Sequence, residues 1–156
     1  FTEAASLTCL DITPYRYKKR GGGSLTAKFA PDYYALHMER VRLLKEQYQN
    51  WGMYDTGVKQ TLGAIYVRFV LSALQRNCDK RAHMSRAARK NFVRDRLKSE
   101  LYLELMPFAN PRTKAARAVA ALLRSKNETA LLALGRAVHT VERRLPFLFA
   151  RAKQSR

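Results

Sequence analysis

Residues that could do chemistry are few in this sequence and lie apart from one another. The three histidines fall in different predicted helices and show none of the spacings that bind zinc, such as HExxH. The arginines near Asp95, Glu100 and Glu104 would keep these carboxylates ionised, whereas acid catalysis needs a raised pKa. The sequence therefore predicts neither an acid–base centre nor a metal site. The histidines are His37, His83 and His139.

The two cysteines also predict no site. Cys9 and Cys78 are far apart in the sequence and show no paired spacing, so neither a disulfide framework nor a metal knuckle is expected. Lys80 and Arg81 follow Cys78 closely, and nearby cations can lower the pKa of a thiol, but no base accompanies it. We expect a small structural thiol in a reducing compartment, and a protein that is not an enzyme and uses no cofactor.

The charge balance is the strongest signal in the sequence. Thirty Lys and Arg against twelve Asp and Glu give the 156 residues a net charge of +18. Such a field favours polyanions, anionic membranes or acidic proteins as partners, and a generic solvated cationic surface is the alternative. Apolar residues make up 47% of the chain, so we expect a folded protein that carries this charge on its surface. The longest apolar stretch, 62–74, is interrupted by Arg68 and is too short to span a membrane.

One basic cluster lies in an N-terminal extension that covers residues 1–30. It mixes aromatic and basic side chains and precedes three glycines, a composition typical of a segment that its partner orders. Such a segment can follow an RNA backbone and stack on bases; an ordinary tail leading into the first helix is the alternative. Its candidate RNA-binding residues are Arg16, Lys18, Lys19 and Arg20.

The second basic cluster spans residues 80–98, which contain eight Lys or Arg and a single acid, Asp95. Solvated helix faces usually mix both signs in pairs, so a run of one sign favours a polyanionic partner. No zinc finger or RNP signature accompanies the run, which favours recognition of RNA shape and backbone over sequence. Its candidate RNA-binding residues are Lys80, Arg81, Arg86, Arg89, Lys90, Arg94, Arg96 and Lys98.

Apolar periodicity predicts an all-α bundle of about five helices over residues 31–146, followed by a basic tail at 147–156. The second helix is apolar around most of its circumference, so we expect it to be central and to form a hairpin with the third over 58–106. The predicted helices are 31–50, 57–77, 83–106, a short helix after a cap at Asn110, and 127–145 after a cap at Asn127.

The first predicted helix carries one apolar stripe, with Lys45 on another face. Trp51 follows this helix in a loop, where we expect it to plug the end of the bundle; contact with a partner is the alternative. The stripe consists of Tyr34, Met38, Val41, Leu44 and Tyr48.

Two segments resemble the LYR-motif family of small mitochondrial helical proteins. The run 65–68, Ile-Tyr-Val-Arg, is similar to the Leu-Tyr-Arg triplet of its first helix, and 89–94 resembles the basic segment around a phenylalanine in its second. The resemblance covers 58–145 and implies a three-helix body that binds the mitochondrial acyl carrier protein. Such proteins serve in respiratory complexes, iron–sulfur machinery and some mitochondrial ribosomes. The positions that it would assign to a protein partner are Tyr66, Arg68 and Phe92.

Three functions remain open at this point. The favoured one is a structural protein of a mitochondrial ribosome in the matrix, bound to rRNA and to neighbouring ribosomal proteins, with no small-molecule substrate. The second is an LYR-type adaptor, and the third is a basic accessory subunit on an anionic membrane. The chain begins at Phe1, which removal of an organellar presequence would explain, as would an arbitrary boundary.

Overall fold

The computed structural model describes residues 29–144, and this part of the chain is all-helical, which confirms the expected fold class. The cluster at 16–20, most of the extension and the 147–156 tail lie outside the described residues. Within residues 29–144 the helices are α1 (Tyr33–Asn50), α2 (Thr56–Arg76), α3 (Arg86–Arg96), α4 (Glu100–Leu105), α5 (Lys114–Arg124) and α6 (Glu128–Arg144), and a 3-10 turn lies at Lys80–Ala82. None of the described helices is long and apolar enough to cross a membrane.

Helix α2 is the centre of the bundle, as its apolar circumference predicts. It packs against α1, α4, α5 and α6. Two glycines permit the closest approaches: a Cβ on Gly63 would lie 2.8 Å from the Leu105 carbonyl oxygen, and one on Gly135 would lie 2.9 Å from that of Leu74. The buried side chains of α2 are Leu62, Tyr66, Val67, Val70, Ala73 and Leu74.

The predicted third helix, 83–106, is wrong as a continuous element. His83 adopts a left-handed backbone conformation with φ of +48°, and α3 starts only after Ser85, whose side chain accepts from the Ala88 amide. A second break follows α3, and Ser99 caps α4 by accepting from the Tyr102 amide. The expected cationic arm is therefore the separate helix α3, which packs most closely against α6.

Three expectations for α1 and its loop are wrong. Leu44 is 43% exposed, because the buried stripe passes instead through Met38 and Val41 to Lys45. The Lys45 side chain is only 15% exposed, since it reaches Glu104 in α4. Trp51 does not plug the bundle: it is 46% exposed and packs edge-on against Tyr48.

Of the two predicted asparagine caps, one is confirmed and the other is wrong. The Asn127 side chain accepts from the Ala130 amide at 3.0 Å, which confirms it as the cap of α6. Asn110 caps no helix, because α5 begins at Lys114 and Thr113 accepts from the Ala116 amide. Pro111 is buried in the connection instead of opening a helix.

Candidate nucleic-acid interface

The 3-10 turn at the start of the basic run fixes the side chain of Arg81 and leaves that of Lys80 exposed. The Asp79 side chain accepts from the Arg81 amide at 2.9 Å and from its guanidinium at 2.8 and 3.0 Å. Hydrogen bonds from Arg81 hold the pKa of Asp79 well below its usual range. The Arg81 guanidinium also lies 5.1 Å from the ring centre of Phe29. Arg81 is thus fixed and paired with a carboxylate, whereas Lys80 is exposed and forms no ion pair among the described residues.

Arg86, Arg89 and Lys90 are three cations of the run that lie close together on α3 and form no ion pair with another described residue. None of the ion pairs among residues 29–144 includes any of the three. Arg86 and Lys90 are exposed and Arg89 is half-buried. Three cations without an ion-pair partner in the described part of the chain, over slightly more than one turn of a capped helix, are a rigid positive surface, of the kind that phosphate groups bind. We call these three residues the α3 cationic row.

The α3 cationic row forms one wall of a cavity of about 380 Å³ between α3 and α6, which we call the α3–α6 groove. Arg136 of α6 lines the opposite wall, and sequence analysis missed it because it lies outside the dense run. Only the packing of α6 on α3 brings these cations together. The other lining residues are Cys78, Glu128, Thr129, Leu132 and Ala133.

Arg94 points along α3 to a carboxylate that the sequence could not assign to it. Its guanidinium donates to both oxygens of Glu128, at 3.1 and 3.3 Å. This pairing, with help from the charges of Lys90 and Lys98, lowers the pKa of Glu128. Arg94 therefore joins α3 to the first turn of α6, and its charge is largely compensated.

Arg96 is turned toward the protein and away from solvent. Its guanidinium lies 4.7 Å from the ring centre of Tyr34 and 5.3 Å from that of Phe92, and its Nε is buried without a hydrogen-bond partner. Stacking of this kind stabilises the α1–α3 contact and leaves little of the guanidinium for a ligand. Lys98, just after α3, is exposed. Of the eight candidates in 80–98, those that remain accessible and uncompensated are Lys80, Arg86, Arg89, Lys90 and Lys98.

The three positions that the LYR resemblance assigns to a partner lie in different surroundings. Tyr66 is fully buried, and its hydroxyl lies 3.3 Å from Ser99 Oγ and 3.4 Å from the Arg96 carbonyl oxygen. Burial raises the pKa of Tyr66, so the ring stays neutral. Phe92 is half-buried and packs edge-on against Tyr34 at 5.2 Å. Arg68 is exposed on the other side of α2.

Arg68 borders a second cavity, of about 460 Å³, between α2 and the start of α5. Arg112 lies on the same cavity, and its walls include Ile65, Leu71 and Val119. This cavity combines two cations with apolar walls. It differs from the α3–α6 groove, where four cations converge on a smaller space.

An aromatic cluster between α1 and α2 is a further feature that sequence analysis missed. The ring centres of His37 and Phe69 are 4.0 Å apart with nearly parallel planes, and Tyr33 packs edge-on at 4.2 Å from His37. The Arg76 guanidinium covers Tyr33 at 4.2 Å. Burial, followed by the charges of nearby arginines, lowers the pKa of His37. The imidazole is therefore a neutral packing group at neutral pH. The arginines are Arg40, Arg76 and Arg68.

Residues 29–144 contain no group of three or more His, Cys, Asp or Glu side chains arranged to hold a metal ion. The described surface offers guanidinium and ammonium groups that can bind anions. No protein-family model, no curated protein and no solved structure matches this chain.

Proposed function

We propose that this chain is a non-catalytic structural protein that binds RNA through the α3 cationic row and the basic extension. The supporting observation is that the three cations of the row form no ion pair among the described residues, while the neighbouring Arg81 and Arg94 are paired with carboxylates. A surface that merely needed to be soluble would place acids beside such cations, because like charges four residues apart destabilise a helix. The missing counter-charge is expected to come from phosphate groups.

The ribosome of mitochondria is the particle that we propose for this RNA. The net charge of +18 on a small helical body is typical of a protein that holds RNA by its backbone within a large assembly. The resemblance of 58–145 to the LYR-motif family supports the mitochondrial matrix as the compartment. Neighbouring ribosomal proteins would then cover the exposed apolar side chains of α1, Leu36 and Leu43, which are 60% and 55% exposed.

Salt dependence tests the RNA-binding proposal. We expect the affinity of the full chain for a labelled single-stranded RNA to fall steeply with salt. Three neutralised phosphates alone give a log–log slope of about −2, at about −0.7 per phosphate. Fluorescence anisotropy over a series of salt concentrations measures this slope. An affinity that stays flat across the series would exclude backbone binding.

A rival outcome is an acidic protein partner in place of RNA. Arg68 and Arg112, beside the cavity between α2 and α5, favour this second candidate, an adaptor for an acyl carrier protein. Mass spectrometry of what co-purifies with the tagged native chain distinguishes the two. Recovery of an acyl carrier protein that is lost in Arg68→Glu, with no ribosomal protein, would favour the adaptor.

A further inference from the structure

We propose that the α3–α6 groove seats one unstacked nucleotide of the bound RNA, with its phosphate on the arginines and its base on the apolar floor. This inference rests on the proposed RNA binding and adds a specific preference to it. An open cationic surface binds any phosphate backbone, duplex or single-stranded. A groove that receives a whole nucleotide selects RNA in which a nucleotide can leave the stack.

The size of the groove indicates a ligand larger than a phosphate group. Its volume of about 380 Å³ lies within the range of about 300–1,000 Å³ that is typical of small-molecule sites. A side chain reaching out from a flat helix face would need no such cavity to meet a phosphate. The space behind the cations is therefore available to the nucleoside attached to it.

The cations are placed to bind a phosphate from two sides. Arg86, Arg89 and Lys90 belong to α3, whereas Arg136 belongs to α6, and all four line the same groove. Guanidinium groups bind phosphate oxygens in pairs of parallel hydrogen bonds, which fixes the orientation of the group as well as its position. Cations on two separate helices thus give the groove a defined place for the phosphate.

The remaining lining suits a base and a ribose. Leu132 and the methyl group of Ala133 form an apolar surface, and the Thr129 hydroxyl can donate or accept a hydrogen bond. The Glu128 carboxylate, held by Arg94, is an acceptor for a ribose hydroxyl or an exocyclic amino group. A carboxylate here also repels a phosphate, so the phosphate is expected on the side of Arg86 and Arg136.

A substitution that fills the groove without changing charge tests the proposal. Ala133 lines the groove and is exposed to solvent, so Ala133→Phe should fold and occupy the space for the base. We expect it to weaken binding of single-stranded RNA about tenfold, the scale of about 55 Å² of apolar surface that is no longer removed from water, and to leave the salt slope unchanged. Binding of fully paired RNA should change by less than about twofold, because a nucleotide in a duplex cannot enter.

Ala137→Phe is the matched control, because Ala137 is exposed on the same helix and does not line the groove. It should bind both RNAs as the unsubstituted chain does. Equal binding of single-stranded RNA by Ala133→Phe and Ala137→Phe would overturn the proposal. A failure of the proposed function would be recognised separately, because the RNA affinity of the unsubstituted chain would then not change with salt concentration.

Alkylation of Cys78 gives a second measurement that needs no groove substitution. The thiol lines the groove and is half-buried, and a Cys9→Ser background leaves it as the sole thiol of the chain. Single-stranded RNA should slow its alkylation at lower concentrations than adenosine monophosphate does, and inorganic phosphate should protect least. Protection by free nucleotide but not by RNA would overturn the RNA assignment in favour of a nucleotide site. Absence of protection by either would overturn the groove as a nucleotide site.

Discussion

Lys45, Glu104 and Tyr54 form a polar network that joins α1, its following loop and α4. The Lys45 ammonium lies 2.6 Å from one Glu104 oxygen, and the Tyr54 hydroxyl donates to the other at 2.8 Å. Burial raises the pKa of Glu104, but the hydrogen bonds from Lys45 and Tyr54 and the nearby positive charges outweigh burial and lower it. The hydrogen bond to Glu104 raises the pKa of Lys45 despite its burial. Both groups are therefore charged near neutral pH.

This network predicts a loss of stability in acid. Because the folded-state pKa of Glu104 is lowered, its contribution is present above the ordinary carboxyl pKa and is lost as pH falls through the folded value. Glu104→Gln should lower the free energy of unfolding by about 1–2 kcal/mol at neutral pH, and this difference should shrink in acid. Urea denaturation at several pH values measures it. Glu100→Gln is the control, since Glu100 is 87% exposed and its oxygen lies 3.6 Å from Lys45. An equal loss in both variants would contradict the assignment.

Sequence periodicity could not place Lys45, for a physical reason. A stripe of apolar residues identifies the buried face of a helix only where the buried side chains are apolar. Lys45 lies next to the stripe, and its charge is compensated by Glu104, which is 59 positions away in the sequence. Arg94 and Glu128 show the same limit across 34 positions. Pairings between distant residues follow from the packing of helices, which one sequence does not contain.

At the scale of elements, the contact between α2 and the end of α4 depends on a glycine. A Cβ on Gly63 would lie 2.8 Å from both the Leu105 carbonyl oxygen and the Ala109 Cα, so the backbones would have to separate. Gly63→Ala should destabilise the fold by about 1–3 kcal/mol in urea denaturation, although alanine favours a helix. Gly57→Ala is the control: its nearest contact is the Asp55 side chain at 3.3 Å, and it should change stability by less than about 1 kcal/mol. A Gly63→Ala protein as stable as the control would show that α2 and α4 lie further apart.

The breaks in the third predicted helix show which element boundaries a sequence reveals. Leu97, Leu101 and Leu105 keep a spacing of four, and no proline or glycine interrupts them, so periodicity predicts one helix. The missed signals are Ser85 and Ser99, whose hydroxyls accept from amides three residues later. Serine followed by an acid, as at Ser99-Glu100, is a recognised start of a helix that a continuing apolar pattern conceals. The caps at Asn110 and Asn127 had equal support from sequence, and only Asn127 is used.

At the scale of the whole molecule, the distribution of acids determines which cations are available. Asp79, Glu128 and Glu104 each pair with a cation, so these three carboxylates are engaged within the fold. The sequence reveals that cations are dense in 80–98, and it predicts an all-α fold with α2 at its centre. It cannot reveal that Arg81, Arg94 and Arg96 are engaged while the α3 cationic row is not. That distinction reduces the eight candidates of the run to five accessible cations, three of which form the α3 cationic row.

Two variants of equal charge test this surface most directly. Arg86→Gln/Arg89→Gln/Lys90→Gln removes the α3 cationic row, and Arg112→Gln/Lys114→Gln/Arg117→Gln removes three cations that do not line the α3–α6 groove. Binding of single-stranded RNA is measured over a series of salt concentrations. The first variant should lose affinity and reduce the magnitude of the log–log slope by about 2, and the second should change the slope by less than about 0.7. Equal losses in the two variants would contradict the account, because net charge rather than the α3 cationic row would then determine binding.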